Sequence, residues 1–138
     1  WISSKPLGTW PISTESELDF QRTIKHALSV LDNNCYIKEE VPVSSLFNKD
    51  SVNSKLFYMQ KFDIVIFKKC YGGDKIVLIF ELNGPEHLTE QDVIDRDNEK
   101  KRLCEIHNIE ILSIPRDCAR DYNMIKSAIK EVMKTKKR

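Results

Sequence analysis

The sequence has no apolar run approaching the ~18 residues of a membrane-spanning helix, and no signal-peptide layout at its start. Cysteine is sparse: it stands at positions 35, 70, 104 and 118, with no CxxC. That argues against a zinc centre of the usual spacing and against a disulfide framework. The thiols read as buried or half-buried and free, in a reducing cytoplasm. There is no internal repeat, and no low-complexity stretch apart from a basic end. Charge of one sign is not in excess. Lys and Arg total 22, Asp and Glu 21, for a net of +1, which excludes a protein that coats nucleic acid by bulk charge. The first residue is Trp1, not Met, so the sequence is expected to be a processed or excised piece of a longer chain.

What is present is enough for one compact domain. The 138 residues are 41% hydrophobic and 31% charged, room for one core and not two. The charge is unevenly spread. Residues 126–138 hold six basic residues and one acid, a net of +5, so the rest of the chain is acidic. An acidic body meets a polyanion through local patches or bound cations. The basic end, Lys126 to Arg138, is a candidate for backbone phosphate contacts with a salt-dependent affinity.

Residues 1–13, with Pro6, Gly8 and Pro11, read as an irregular lead-in that carries Trp1 and Trp10. A single domain is expected over 14–134. Thr14 as N-cap and Glu17 three residues on form a capping box, and Leu18, Phe20, Ile24, Ala27, Leu28 and Leu31 follow at helical spacing. Asp32-Asn33-Asn34 stops that helix, and 36–43 reads as a strand ending near Pro42. Residues 62–67 and 76–82 are apolar on both faces except for Asp63 and Glu81, with a Tyr71-Gly72-Gly73-Asp74 turn between them. Asn83-Gly84-Pro85 breaks the second of these strands. A helix over 92–107, a strand over 109–114 and an amphipathic helix over 122–134 complete an α-β-β-β-α-β-α order. Strands buried on both faces need helices on both sides, and a helical crossover makes the last strand parallel to its neighbour. The fold class is therefore α/β, a mixed central sheet flanked by helices.

Asp63 and Glu81 carry the functional argument. Antiparallel partners have a constant index sum, and a turn centred on Gly72 sets Asp63 across from Glu81. The same register pairs Val65 with Ile79, Phe67 with Val77 and Lys61 with Asn83. Opposed like charges destabilise a sheet, and apolar walls weaken their screening. A shared proton, a bound divalent cation, or pairing of one acid at a fraying strand end with Lys61 or another base offsets the repulsion. Mg²⁺ is commonly held by one or two carboxylates with water and substrate phosphate, which suits metal-assisted phosphodiester cleavage. Lys61, beside the acids, is a candidate for holding the attacking water or stabilising transition-state charge.

Phe62-Asp63-Ile64-Val65, then Ile79-Phe80-Glu81-Leu82-Asn83-Gly84 with His87 behind it, then Arg96-Asp97 and Lys100 on a helix before a strand, resembles the PD-(D/E)XK nuclease superfamily. The likeness is to the small bacterial branch related to very-short-patch repair endonucleases, and it covers residues 14–134. It implies a restriction-endonuclease-like core. It implies Asp63 and Glu81 as ligands of Mg²⁺ (or Mn²⁺), the Leu82 carbonyl as a third ligand, and Glu17 pointing into the site. The superfamily's usual lysine, two residues after the second acid, is Asn83 here. Lys100, Lys61 or His87 are candidates to replace it, and Arg96, Lys100 and Leu103 share a helical stripe, so Lys100 can face the sheet. Asp97 either bonds His87 or caps its helix; His26 and His107 carry no motif and read as surface or packing residues.

The reading is a metal-dependent endonuclease domain acting on DNA in restriction, repair or phage defence, with a homodimer or partner domains of a longer chain both compatible. The alternatives are a catalytically degenerate fold kept as a nucleic-acid or protein binding module, and an oligomerisation or regulatory domain.

Overall fold

The computed structural model describes residues 15–47, 60–83 and 91–136. The lead-in with Trp1 and Trp10, the Thr14 N-cap, the stretch 48–59 and Gly84-Pro85 with His87 lie outside these residues. Helix α1 spans Glu15–Leu31, β1 Cys35–Pro42, β2 Lys61–Lys68, β3 Lys75–Asn83, α2 Gln91–Ile106, β4 Ile111–Pro115 and α3 Tyr122–Lys136. This is the α-β-β-β-α-β-α order expected from the sequence. The four strands form one mixed sheet in the order β1-β2-β3-β4. β1–β2 and β2–β3 pair antiparallel, and β3–β4 pair parallel across the α2 crossover.

From Ile64 to Ile66 and from Leu78 to Leu82 the apolar residues of β2 and β3 separate onto the two faces, as strand alternation requires; Phe62, in the same layer as Val65, and Val77, in the same layer as Leu78, depart from it. Ile64, Ile66, Leu78, Phe80 and Leu82 pack with Phe20, Ile24 and Leu28 of α1 and Ile125, Ile129 and Val132 of α3. Phe20 meets Phe80 edge-on with centroids 5.5 Å apart. On the other face, Val65 and Ile79 pack with Leu103 and Cys104 of α2 and with Val43 and Phe47. The two central strands are thus covered on both sides. Helix α2 contributes few apolar side chains, so its placement rests on a short stretch around Leu103.

Chain ends of the elements follow local chemistry. Asp32 stops α1 by accepting the Asn34 N–H on its own carboxylate (2.9 Å). Pro42 ends β1, and Val43, expected in that strand, instead opens a 3₁₀ turn over Val43–Ser45. Helix α2 closes in a Schellman motif. Asn108 takes φ +58° and the Ile109 N–H reaches the Cys104 carbonyl at 2.8 Å. Ile109, expected to open the last strand, is consumed by this cap, and β4 starts at Ile111. Asn83, expected to break β3, is its last residue.

The β2–β3 register holds the index sum expected from the sequence at Ile64–Phe80, Val65–Ile79 and Ile66–Leu78, then shifts by one at a bulge between Ile66 and Phe67. Phe67 therefore pairs with Ile76, not with Val77. The turn closes through the Gly73 N–H to the Cys70 carbonyl (3.1 Å), with Gly72 at φ +92°, a conformation costly for any residue with a Cβ. The bulge lies between turn and acids, and the expected register holds as far as Ile64–Phe80, one residue short of Asp63 and Glu81, which are not themselves a ladder pair.

Candidate active site

Beyond Ile64–Phe80 the β2–β3 ladder gives way to side-chain bonds. The Asp63 N–H donates to Glu81 Oε2 at 2.8 Å, and the Leu82 N–H donates to Asp63 Oδ2 at 2.8 Å. Each acid thus bonds the opposite strand's backbone. These bonds hold the two carboxylates side by side where β2 begins and β3 ends. The expected Lys61–Asn83 pair is absent from the ladder among the described residues.

Lys100 reaches this point from α2. Its Nζ donates to Glu81 Oε1 at 2.7 Å and to the Lys61 carbonyl at 2.5 Å, and lies 5.4 Å from the Phe62 ring centroid. Glu81 and Lys100 are each only 6% exposed, and no other charged side chain among the described residues is buried. Desolvating two charges costs several kcal/mol per ion, and the ion pair seldom returns more than that. Such a pair adds little to stability, so its presence in the wall of a cavity points to chemistry.

The cavity is about 360 Å³ and is lined by Asp63, Glu81, Leu82, Lys100, Glu17, Asp97, Lys61, Gln60, Arg96 and Arg116. Burial and then the neighbouring Glu81 charge push the Asp63 carboxyl up to about 6, the Glu17 charge adding to this while the Leu82 N–H and Lys100 oppose it. Asp63 has no ion-pair partner among the described residues, so a positive charge brought beside it would relieve it. Behind the site, Cys104 is buried, and burial with the Glu81 charge holds its thiol up at about 12. It is a packing residue and no nucleophile.

Of the residues expected from sequence, the structure brings Asp63, Glu81, Leu82, Lys100, Lys61 and Glu17 to one cavity. Glu17 lies in the first turn of α1 and acts electrostatically on Asp63, so it belongs to the site; its capping partner is outside the described residues. Lys61 enters the network through its carbonyl, while its side chain is exposed at the rim. Asn83 is not a lining residue; its Oδ1 is buried without a hydrogen-bond partner. His87 lies outside the described residues. His26 stacks near Tyr122, and His107 packs on Phe47, both as packing residues. Arg116 and Gln60 line the cavity without having been singled out. Arg116 follows β4, and a crevice beyond the carboxyl ends of parallel strands is where open α/β sheets bind ligands; that rule was the available signal.

Two carboxylates form the donor set. Among the described residues no group of three or more His, Cys, Asp and Glu side chains is arranged to hold a metal ion. Two acids in an open, water-accessible cavity fit a hard cation that keeps several waters, such as Mg²⁺, better than zinc. Comparison of the chain with protein-family models, curated proteins and solved structures finds no match.

Proposed function

We propose that this domain hydrolyses phosphodiester bonds, in DNA first of all, with a divalent cation (Mg²⁺ or Mn²⁺) held by Asp63 and Glu81 and a restriction-endonuclease-like core as its scaffold. The observation that carries this reading is the pair of carboxylates cross-bonded at the end of the β2–β3 hairpin, with buried Lys100 on one of them.

Each side chain has a distinct task in this reading. Asp63 and Glu81 hold the cation, which when bound supplies a Lewis acid for the phosphoryl oxygen and lowers the pKa of water. Asp63, already pushed up to about 6 by burial and by Glu81, becomes a better ligand once that charge is balanced. Lys100 fixes Glu81 Oε1 and is itself held by the Lys61 carbonyl. Its ammonium replaces the lysine that Asn83 does not provide. From there it faces the charge that builds on the phosphoryl group. Glu17 supplements the acidic floor.

A binding module on the same scaffold is the competing reading, favoured by Asn83 and by the protein donors on both Glu81 oxygens, Lys100 on Oε1 and the Asp63 N–H on Oε2. Incubation of supercoiled plasmid with Mg²⁺ or Mn²⁺ separates the two. Hydrolysis predicts nicked or linear product that EDTA stops and that Asp63→Ala lacks. Intact plasmid under all conditions, or equal cleavage by Asp63→Ala, overturns it.

A further inference from the structure

The cavity's charges are sorted by depth. Its acids lie low: Glu81 is buried, and Asp63, Glu17 and Asp97 are half-buried. Apart from Lys100, its bases, Lys61, Arg96 and Arg116, are all exposed at the rim. Among the described residues, neither arginine makes an ion pair or a side-chain hydrogen bond. Elsewhere on the surface this is not the pattern: Arg22 and Arg120 pair with Asp19, and Arg102 pairs with Glu99.

The rim bases stand on three separate elements. Lys61 opens β2, on one side of β3. Arg116 follows β4, on the other side, where Asn83 pairs with Pro115. Neighbouring strands are about 4.8 Å apart, so these two backbones straddle the end of β3 at about 10 Å. Arg96 comes from the second turn of α2, one helical turn before Lys100. The acidic floor sits between them. Bases on three separate elements around one acidic floor offer more phosphate contacts than a single phosphate uses, which suits a run of phosphates.

We propose that Arg96 and Arg116 form a clamp for a nucleic-acid backbone, gripping phosphates on either side of the one presented to Asp63 and Glu81. The inference rests on the hydrolase reading of the floor, and names how its substrate is held. Arginine suits the task because its planar fork binds phosphate oxygens in pairs and stays charged. Unpaired rim arginines meet the phosphates without first breaking an ion pair. The clamp reads no base sequence; it sets where the backbone lies.

The test uses the full chain carrying Asp63→Asn, which removes one floor charge and, on the reading above, blocks cleavage. Binding of a fluorescein-labelled 20-base-pair duplex is followed by anisotropy in EDTA across a salt series. Adding Arg96→Ala or Arg116→Ala is expected to weaken binding about tenfold and to reduce the slope of log K against log salt by about one per residue. Arg116→Lys is expected to retain the slope. Because both arginines are exposed, melting temperatures should not move. Unchanged affinity and slope in both alanine variants, or no duplex binding at all, overturns the clamp. So does inorganic phosphate displacing the duplex at low millimolar concentration, since that marks a single-phosphate site. Cleavage of plasmid by the wild-type chain is scored separately. Duplex binding that loses its salt slope in the variants, with no cleavage by the wild type, keeps the clamp and removes the hydrolase reading.

Discussion

Three side chains set the character of the site: Asp63, Glu81 and Lys100. The buried Lys100–Glu81 pair is costly to break because either partner alone is an uncompensated charge in an apolar wall. Lys100→Ala is therefore expected to lose about 3–5 kcal/mol in urea unfolding, along with cleavage. The double substitution Lys100→Met with Glu81→Leu should recover most of that stability and none of the activity. Asp63 gives a pH signature. Burial and the Glu81 charge hold its carboxyl at about 6 in the fold, above the ordinary 3.8 of an aspartate. The unfolded chain therefore ionises first, and this group opposes folding increasingly as pH rises from about 4 to about 6, then by a constant amount. Asp63→Asn should raise the melting temperature at pH 8 relative to wild type, and the gain should vanish near pH 4. A gain independent of pH would remove the charge argument.

At the scale of elements, the β2–β3 hairpin and α2 deliver these groups. The acids were legible in sequence because a hairpin is local: once Gly72 marks the turn, the index sum places Asp63 against Glu81. The bulge at Ile66/Phe67 was not legible. It shifts the pairing of Phe67, yet no composition signal marks it. Lys100 was one of three candidates to replace the missing lysine, placed towards the sheet by its helical spacing with Leu103, and packing of α2 brings its ammonium onto Glu81 while the Lys61 side chain stays exposed at the rim. That dependence is testable. Leu103 is fully buried, one turn from Lys100. Leu103→Ala should cost about 2–5 kcal/mol and, assayed well below its melting temperature, should cut cleavage. Ile129→Ala, an equally buried deletion on α3 facing the other core layer, should cost similar stability and leave cleavage near wild type. Equal effects on activity would deny α2 a positioning role. Arg116 was missed although the parallel crossover was legible, because which residue after β4 reaches the end of β3 depends on the β3–β4 register, a contact between segments far apart in sequence.

For the whole molecule, a sheet covered on both faces makes a rigid support, and the open end of β3 is where the elements leave a cavity. The basic and acidic residues are nearly equal in number, so on the proposed reading a polyanion is selected by local charge, at the cavity rim and at the basic end, rather than by overall charge. If the floor takes a divalent cation, binding couples to folding of the whole chain. At a hundredfold excess over Kd the added stability is about 2.7 kcal/mol. Mn²⁺ should then raise the wild-type melting temperature by several degrees and leave Glu81→Ala unmoved; a rise of the same size in both would place the ion elsewhere. The most direct measurement is an anomalous difference map from crystals grown with Mn²⁺. The account predicts a peak within coordination distance of Asp63 Oδ and Glu81 Oε, with Lys100 still on Glu81. A map with ordered carboxylates and no peak between them, at Mn²⁺ concentrations that support cleavage, would contradict it.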